Sequence, residues 1–476
     1  MKVAFLNPPS YEDFDGGAGS RYQATREVTS FWYPTWLCYP AGMIPGSRVI
    51  DAPAEHLNLE RTLSIVKDFE LVVLYTSTAS FAMDVKTAET IKTTNRNAKV
   101  ALVGPHISIL PDEALKVSDA IDFVCRREFD YSIKEFAEGK PLSEIDGISY
   151  RSNGNIVHNN NREYIRDLDA LPFVVEVYKR DLDIRNYHIP YLRHPYVSIY
   201  TGRGCPAQCI FCLWPQTFTG NTYRVRSPDN VVEEVRLALK YFPEAKEIFF
   251  DDDTFTANSA RARELATKLK PLDITWSTTS RATTDVETLK AMKDSGLRLL
   301  VVGYETGSQE ILNNVKKGVT LEQVEEFTRN CQRLKIQIHG AFILGLPEET
   351  PGTVEESIRF ACKLNPDTIQ VSLASPYPGT QLYELCRDKG YLVEDNLVSE
   401  RGYQKCSVQY PGMSSMEIYN AVERFYKRFY YRPRFIGKTL IKMLFDKQER
   451  RRILKEGAEF KEFLSRRKEI VKGKTC

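Results

Sequence analysis

The sequence has no uninterrupted apolar run long enough to cross a bilayer, so a membrane-spanning protein is not expected. Its opening apolar run, residues 1–6, is too short for the core of a secretory signal peptide. Ten cysteines without an export signal favour reduced thiols over a disulfide framework. We therefore expect a cytoplasmic protein, and 476 residues predict two or three domains.

A fourth metal ligand is missing beside the strongest motif of the chain. Cys205, Cys209 and Cys212 follow an apolar segment and a Gly-Arg-Gly turn, with the spacing Cys-x3-Cys-x2-Cys. No further cysteine or histidine follows nearby, which argues against a closed four-ligand zinc site. Thiolates are the usual ligands of iron–sulfur clusters, and three of them leave one iron of a four-iron cube open. The motif therefore predicts a [4Fe-4S] cluster rather than three unrelated core thiols.

Two stretches of alternating strands and helices predict the fold, which is of the α/β class. In residues 1–140, apolar strands separated by helices indicate a doubly wound, Rossmann-like parallel sheet. Residues 191–395 carry six further βα units, which predict a partial (β/α)6 barrel of the TIM type. Residues 141–190 are expected to form a linker with a small hairpin. Residues 396–476 are expected to form a basic helical region.

Ligands of such folds bind beyond the carboxyl ends of the strands, so the loops at those ends hold the candidate site residues. In the first domain these loops are small, polar or rich in glycine and proline, which lets a large flat ligand approach the backbone. The candidates there are Pro8, Thr76, Ser77, Gly104, Pro105, His106 and Glu128. At the barrel rim, Asp251, Asp253, Arg281 and Glu305 follow predicted strands, whereas Asp252 is expected to serve only as a helix cap.

The cysteine motif, with Phe211 before its last cysteine, resembles that of the radical S-adenosylmethionine (SAM) superfamily. Residues 1–140 resemble the cobalamin-binding domain that precedes many such barrels. The resemblance implies three cofactors, a [4Fe-4S] cluster, SAM and cobalamin, and an electron donor such as flavodoxin or ferredoxin. It implies that the cluster reduces SAM to a 5′-deoxyadenosyl radical, which abstracts hydrogen from an unactivated carbon. The expected SAM contacts are Phe211, Asp251, Asp253, Arg281, Glu305, Gly340 and Ile343.

One motif of histidine-ligated cobalamin domains, Asp-x-His-x-x-Gly, is absent. The segment from Asp51 to His56 has a different spacing and no glycine. If cobalamin binds at the rim of the first domain, we therefore expect no histidine ligand to cobalt, with His106 packing against the corrin. The alternative is a scaffold that has lost its cofactor. The sequence identifies no catalytic acid or base.

Residues 6–23, residues 30–36 and, near the C-terminus, residues 452–460 resemble one subfamily, the hopanoid-biosynthesis-associated radical SAM proteins. That resemblance implies contraction of a glucosamine-type sugar on a bacteriohopanetetrol lipid to a cyclitol ether. The alternative is a cobalamin-dependent radical SAM C-methyltransferase that acts on another lipid or natural product.

The near-neutral net charge of +2 hides a basic C-terminal tail. Residues 424–474 contain 18 Lys/Arg against 6 Asp/Glu, interleaved with aromatic residues. Such a tail fits peripheral contact with an anionic membrane, here the inner face of the cell membrane, and it equally fits a helical lid on the barrel. An RNA-binding module would leave the cysteine motif without a purpose, so no nucleic acid partner is expected.

Overall fold

The computed structural model describes residues 1–9, 14–15, 17–20, 23–394, 396–445 and 447–471. Parts of the N-terminal subfamily signature, residues 10–13, 16, 21 and 22, therefore lie outside the described residues, as do residues 472–474 of the basic tail. The described chain forms two α/β units followed by helices, which confirms the predicted fold class.

The first unit is built on a seven-stranded sheet in the order β2-β1-β3-β4-β5-β6-β7. Its strands are β1 (Val3–Asn7), β2 (Arg48–Asp51), β3 (Leu71–Tyr75), β4 (Lys99–Val103), β5 (Phe123–Cys125), β6 (Ile148–Ser152) and β7 (Asn155–His158). The first five run parallel, and their apolar runs are buried because helices cover both faces. The strand order reverses between β1 and β3, which is the point at which ligands of such sheets bind.

The hairpin expected in the linker belongs to this sheet. β6 pairs antiparallel with β5, with Val124 opposite Ser149, and β7 pairs antiparallel with β6. The buried Arg126 guanidinium donates to the carbonyls of Ile148 and Asn159, which holds the hairpin against the end of β5. The first folded unit therefore extends to about residue 160.

Seven helices connect and cover these strands. They are α1 (Thr35–Met43), α2 (Leu59–Val66), α3 (Phe81–Thr94), α4 (Pro105–Ile109), α5 (Pro111–Val117), α6 (Asp130–Ala137) and α7 (Val174–Asp181). The aromatic segment ahead of α1 is buried between the two units. The Tyr33 ring stacks on Tyr187 at 4.0 Å, and its hydroxyl donates to the carbonyl of Tyr196 at 2.6 Å. This segment is therefore part of the packed core.

The second unit is an open barrel with the strand order β15-β14-β13-β12-β11-β8, all of them parallel. Its strands are β8 (Tyr196–Ile199), β11 (Glu247–Phe250), β12 (Trp276–Ser280), β13 (Leu297–Glu305), β14 (Gln337–Leu344) and β15 (Thr368–Leu373), and a short antiparallel pair, β9 (Gly202–Arg203) and β10 (Arg224–Val225), follows β8. The outer helices are α8 (Pro228–Tyr241), α9 (Ser259–Leu269), α10 (Val286–Asp294), α11 (Gln309–Asn314), α12 (Leu321–Arg333), α13 (Pro351–Leu364) and α14 (Gln381–Asp388).

Three C-terminal helices close the side of the barrel between its unpaired edges, β15 and β8. They are α15 (Ser415–Tyr430), α16 (Pro433–Phe445) and α17 (Lys447–Val471). On one edge, the Tyr426 hydroxyl accepts from the backbone N–H of Val371 at 2.8 Å. On the other, Arg452 donates to the carbonyl of Pro190 at 3.0 Å, just before β8 begins. None of the helices among the described residues is long and apolar enough to traverse a bilayer.

Candidate active site at the interface of the two units

The three motif cysteines lie on the loop that follows β9. Cys205 and Cys209 are almost buried, Cys212 is half-buried, and none is in a disulfide. Gly204 has a φ of +90°, and a Cβ there would lie 2.3 Å from the carbonyl oxygen of Thr222, so the loop turns tightly at this residue. The side-chain amide of Gln216 donates to the carbonyls of Cys209, Ile210 and Cys212 at 3.3, 3.1 and 2.8 Å. The loop is therefore held in shape by a side chain of the turn that follows it.

The surroundings of these thiols fit a cluster. Within the described ranges, no three Cys, His, Asp or Glu side chains converge on a position for one metal ion. The thiolates of a four-iron cluster bind separate irons, so they need not converge on one point. Burial raises the pKa of the Cys205 thiol, and the charge of Arg281 acts against this rise. The Arg281 guanidinium also lies 3.9 Å from the Cys209 sulfur, where a cation favours the thiolate that iron requires.

The three aspartates after β11, residues 251–253, make different contacts. Asp252 accepts from the Thr201 N–H and hydroxyl, each at 2.6 Å, and from the Tyr223 hydroxyl at 2.6 Å. Its role is therefore structural, but it is not the predicted helix cap, since Asn258 caps α9. Asp253 accepts from the Gly204 N–H at 2.9 Å, so it anchors the start of the cysteine loop. Asp251 accepts from the Tyr200 hydroxyl at 3.3 Å. SAM contact by Asp251 and Asp253 stays a prediction.

A buried ion pair lies beside Cys209. The carboxylate of Glu305 pairs with the ammonium of Lys317, and Arg281 donates to the carbonyl of Lys317. Gly303 makes room for the pair, because a Cβ there would lie 2.2 Å from Glu305 Oε1 and 2.9 Å from Lys317 Nζ. A carboxylate and two cations at one strand end offer partners for the hydroxyls and carboxylate of SAM, so Lys317 joins the predicted contacts Arg281 and Glu305.

Along β14, successive side chains point alternately into the barrel and out toward the helices. A Cβ on Gly340 would lie 2.9 Å from the Tyr304 ring, and the Tyr304 hydroxyl bonds to Thr328 of the outer helix α12. Gly340 therefore makes room for packing against the outer helices, and its contact with SAM stays a prediction. Ile343 is half-buried on the opposite face, and Phe211 is half-buried on the cysteine loop, so both stay candidates.

The cobalamin rim predicted from the sequence is assembled at the carboxyl ends of β1, β3 and β4. Gly104 has a φ of +121°, and a Cβ there would lie 2.3 Å from the carbonyl oxygen of Thr76. The Ser77 hydroxyl lies 3.1 Å from that of Ser80, which donates to Asp84 at 2.7 Å. Burial raises the pKa of Asp84 to about 7. The rim is thus a closely packed backbone surface with few charges, which fits a large ligand that approaches the main chain.

His106 is the one histidine at this rim among the described residues. Its ring packs on Phe81 at 4.2 Å, Nδ1 lies 3.3 Å from the Thr78 hydroxyl, and Nε2 is buried without a hydrogen-bond partner. Burial lowers the pKa of His106 to about 4, so the imidazole is neutral near pH 7. His56 lies elsewhere, edge-on to Phe31 at 5.5 Å in a cavity at the other end of the barrel.

The two units are joined next to both rims. Glu128 is 2% exposed and accepts from Arg224 at 2.8 and 2.9 Å and from Arg203 at 3.3 Å. Arg203, two residues before Cys205, also donates to Asp130 at 3.0 and 3.1 Å. These contacts assign Glu128 to the domain interface, whereas the sequence placed it at the cobalamin rim. The bridge fixes the first unit against the cysteine loop.

Closer to the rims, α4 packs against the single π-helical turn Pro215–Thr219, which directly follows the cysteine loop. Gly379 lies on the loop after β15, and a Cβ there would lie 2.6 Å from the Ile109 side chain of α4. The rim carrying Gly104 and His106 therefore faces the rim carrying the three cysteines. Two sites built at strand ends in separate units thus meet across one interface.

Comparison with known proteins agrees with this architecture. The Radical SAM superfamily profile matches residues 199–361, and the B12 binding domain profile matches residues 24–137. An uncharacterized methyltransferase of Pyrococcus horikoshii is 33% identical over 469 residues, which cover 94% of this chain and 95% of that protein. An anaerobic magnesium-protoporphyrin IX monomethyl ester cyclase of Cereibacter sphaeroides is 25% identical, covering 90% of this chain and 70% of the cyclase. A hopanoid C-2 methylase of Rhodopseudomonas palustris is 26% identical over 208 residues, 42% of this chain and 39% of the methylase.

Two solved structures share the fold. The radical SAM methyltransferase TsrM of Kitasatospora setae, with cobalamin and a [4Fe-4S] cluster bound, has a TM-score of 0.67 at 16% identity and covers 90% of this chain and 88% of its own. The cobalamin-dependent SAM radical enzyme OxsB, with aqua-cobalamin and SAM bound, has a TM-score of 0.67 at 14% identity, covering 96% of this chain and 71% of its own.

The fold and site define a radical SAM enzyme with a [4Fe-4S] cluster, and SAM and cobalamin are its cofactors. More particularly, the chain belongs to the cobalamin-dependent radical SAM methyltransferase family, in which a B12 binding domain precedes the radical SAM domain. The described residues fit these groups, since the thiols at the barrel rim suit the cluster and the bare Gly104 rim suits cobalamin.

Substitution of Gly104 by alanine should disrupt the cobalamin rim. Its φ of +121° and the 2.3 Å approach to the Thr76 carbonyl oxygen leave no room for a Cβ, so the loop after β3 must shift. Strain of this kind is on the order of 1–3 kcal/mol, and we expect cobalamin affinity to fall by about tenfold or more. Titration of the cobalamin-free protein with hydroxocobalamin, followed by visible absorbance, measures this.

Gly46→Ala is the matched control. Gly46 also has a positive φ, +75°, but nothing lies within 4 Å of its Cβ position. This variant should share part of the backbone strain and bind cobalamin as the wild type does. Equal affinity for all three proteins would contradict the placement of cobalamin at Gly104.

Removal of His106 should change how stability depends on pH. An unfolded histidine has a pKa near 6.5, and burial lowers the folded value to about 4, so acid favours the unfolded chain. Between pH 7.5 and 5.5 this difference should remove about 1 kcal/mol of stability. His106→Gln should therefore lose less stability than the wild type over this range, whereas His158→Gln on β7 should not differ from it. Urea denaturation of the cobalamin-free proteins at both pH values is the measurement, and identical losses in all three would count against a buried neutral His106.

Sequence patterns did not identify Lys317, Gln216 or Arg203. Lys317 and Arg203 form ion pairs with residues elsewhere in the chain, and Gln216 donates to main-chain carbonyls. Neither kind of contact produces a recognisable motif in the sequence. His339 is a further buried residue, inside β14, whose ring stacks on Tyr191 at 4.1 Å and whose Nε2 has no partner. Burial lowers its pKa to about 3. Its alternation with Ala341 and Ile343 along β14 is the only local sign that it faces inward.

Proposed function

We propose that this protein is a cobalamin-dependent radical SAM C-methyltransferase that acts on a lipid or another natural product. The observation that carries this proposal is the apposition of the two rims, with α4 of the first unit packed on the turn that follows the cysteine loop. Cobalamin held at Gly104 would then lie on the side of the barrel that carries the three cysteines. The full-length similarity to an uncharacterized methyltransferase supports the same reaction class.

When bound, the cluster supplies the electron that cleaves SAM, and cobalamin supplies a methyl carrier. Cys205, Cys209 and Cys212 would hold the cluster, with Arg281 stabilising the thiolate of Cys209. Glu305 and Lys317 would orient SAM by its hydroxyl and carboxylate groups. The buried walls at the interface exclude water, which a carbon radical and a transferable methyl group both require. The electron donor is proposed to be flavodoxin or ferredoxin, because the cluster must be reduced from outside.

The test is anaerobic turnover of the reconstituted enzyme with methyl-deuterated SAM, cobalamin, a reductant and a lipid extract of the native host. A methyltransferase of this type consumes two SAM per turnover and releases S-adenosylhomocysteine together with 5′-deoxyadenosine. We expect both products in equal amounts and a deuterated methyl group in one lipid. Production of 5′-deoxyadenosine without S-adenosylhomocysteine would contradict methyl transfer.

A second candidate is contraction of a glucosamine-type sugar on a bacteriohopanetetrol lipid to a cyclitol ether. It rests on the N-terminal and C-terminal subfamily signatures, of which the segment 30–36 is packed core. The similarity to an anaerobic cyclase adds a relative whose named reaction is not methyl transfer. In the experiment above, this reaction would yield 5′-deoxyadenosine alone and a hopanoid product of unchanged isotopic composition.

A further inference from the structure

Helix α16 presents an apolar face that nothing in the described chain covers. Ile436, Leu440, Ile441 and Leu444 are spaced along one side of the helix and are 43, 54, 58 and 79% exposed. Exposed large apolar side chains are otherwise scattered singly, as at Val117 and Val286. A contiguous apolar face on a helix marks an interaction surface.

The position of α16 in the fold can be read from α15. Helix α15 packs along β15. It begins at the end of the barrel that carries the cysteines, where the Ile418 side chain lies against Gly345. It ends at the start of β15, where the Tyr430 hydroxyl bonds to the backbone of Ile369. α16 begins directly after this point, at the amino ends of the barrel strands. The apolar face therefore lies at the end of the barrel opposite the cofactors, and not at the barrel mouth where a lid would lie.

A large cavity of about 1360 Å³ opens beside this face, and we call it the basal cavity. Ile441 of the apolar face lines it, together with Phe31, Tyr191 and Leu299. Its cationic and histidine lining is Arg185, Arg193, Lys246, Arg298, Arg451, Arg452, Lys455, His56, His188 and His194. Its acidic lining is Asp367 and Glu456. The basal cavity is therefore strongly cationic, with an apolar wall.

Some of the cations that line the basal cavity form ion pairs, and others do not. Arg298 is paired with Glu247 at 2.8 Å, and Arg185 with Asp183 at 2.6 Å. In the part of the chain that the structure describes, Lys246, Arg193 and Arg451 have no ion pair. Burial lowers the pKa of His188 to about 4, and the charges of Lys455 and Arg452 contribute to the lowering, in line with a positive potential inside the cavity.

We propose that the apolar face of α16 and the basal cavity together bind an anionic phospholipid bilayer. The apolar side chains enter the boundary between headgroups and acyl chains, and lipid phosphates occupy the cationic mouth of the cavity at Arg451. The charge of the region selects this occupant, since residues 424–474 carry 18 Lys/Arg against 6 Asp/Glu. A second copy of the same surface would be repelled, and a nucleic acid would leave the apolar face unsatisfied. The proposal is independent of the reaction proposed above.

The test is flotation of the holoenzyme with vesicles of phosphatidylcholine alone or mixed with phosphatidylglycerol, across a salt series. The wild type should float only with the anionic vesicles, and increasing salt should release it. Leu440→Asp combined with Leu444→Asp, and separately Arg451→Glu, should each lower the bound fraction by about tenfold. All three positions are exposed, so the variants should fold.

Two control variants match these changes elsewhere on the surface. Val117→Asp on α5 matches the apolar substitutions, and Arg166→Glu, whose side chain is 88% exposed, matches the charge reversal. Both should float as the wild type does. Equal binding by the α16 variants, or no wild-type binding at low salt, would overturn the proposal. The proposal would also be overturned if light scattering showed self-association of the wild type that the α16 substitutions abolish. The same holds if millimolar pyrophosphate released the protein from vesicles whether or not α16 was substituted.

Discussion

Replacement of Cys209 by alanine should abolish the formation of 5′-deoxyadenosine from SAM. Cys209 is one of three thiols on a loop whose carbonyls are fixed by Gln216. A four-iron cluster with two protein ligands should not persist, so turnover should fall to that of the enzyme-free mixture. Cys205→Ala and Cys212→Ala should behave in the same way. The measurement is iron content and 5′-deoxyadenosine after anaerobic reconstitution.

Cys362→Ala is the control for this experiment. Cys362 is half-buried on α13, and its thiol donates to the carbonyl of Arg428 at 3.7 Å. The variant should keep wild-type iron content and turnover. A Cys209 variant that retained both would remove the loop from the cluster assignment.

Replacement of Arg203 by methionine should produce the largest loss of stability among single interface substitutions. Burial alone would lower the pKa of Arg203, but the charges of Asp130 and Glu128 outweigh it and raise that pKa. Removal of the guanidinium leaves the Asp130 carboxylate buried and without its ion-pair partner, which costs about 3–5 kcal/mol. We expect a marked fall in the urea midpoint, because Glu128 also loses one of its two arginine partners and keeps Arg224.

The same substitution at Arg236 controls for the loss of a surface ion pair. Arg236 pairs with Glu233 at 3.2 Å, and both side chains are more than half exposed. Such a pair contributes about 0–1 kcal/mol, so Arg236→Met should be close to the wild type. If Arg203→Met were equally mild, the bridge would not be what holds the first unit against the cysteine loop.

Features encoded locally were predictable from the sequence. The spacing of the three cysteines predicts their clustering, because eight residues of one loop cannot separate far. The apolar runs predict strands over residues 71–75, 99–103 and 247–250, and β3, β4 and β11 occupy these residues, since burial in a parallel sheet requires such runs. The sequence also predicts a strand over residues 274–278, whereas β12 spans Trp276–Ser280, because its polar sequence Ser-Thr-Thr-Ser carries no such run.

Features that depend on distant partners were not predictable. Glu128 lies at a strand end and looks like a rim residue, yet its carboxylate pairs with arginines about 75 and 96 positions away. The hairpin β6–β7 looks like a linker, since only its pairing with β5 reveals that it extends the sheet. The basic tail predicts helices with an anionic partner, but the end of the barrel at which α16 lies depends on how α15 packs along β15.

The most direct test of the account is electron paramagnetic resonance of enzyme loaded with cobalamin as Co(II) and with the reduced cluster. Both centres are paramagnetic, and dipolar coupling falls with the cube of their separation. The facing rims at Gly104 and Cys209 predict that each signal is broadened, and relaxes faster, when both centres are present than when either is bound alone. A spectrum equal to the sum of the two separate spectra would contradict a shared site at the interface.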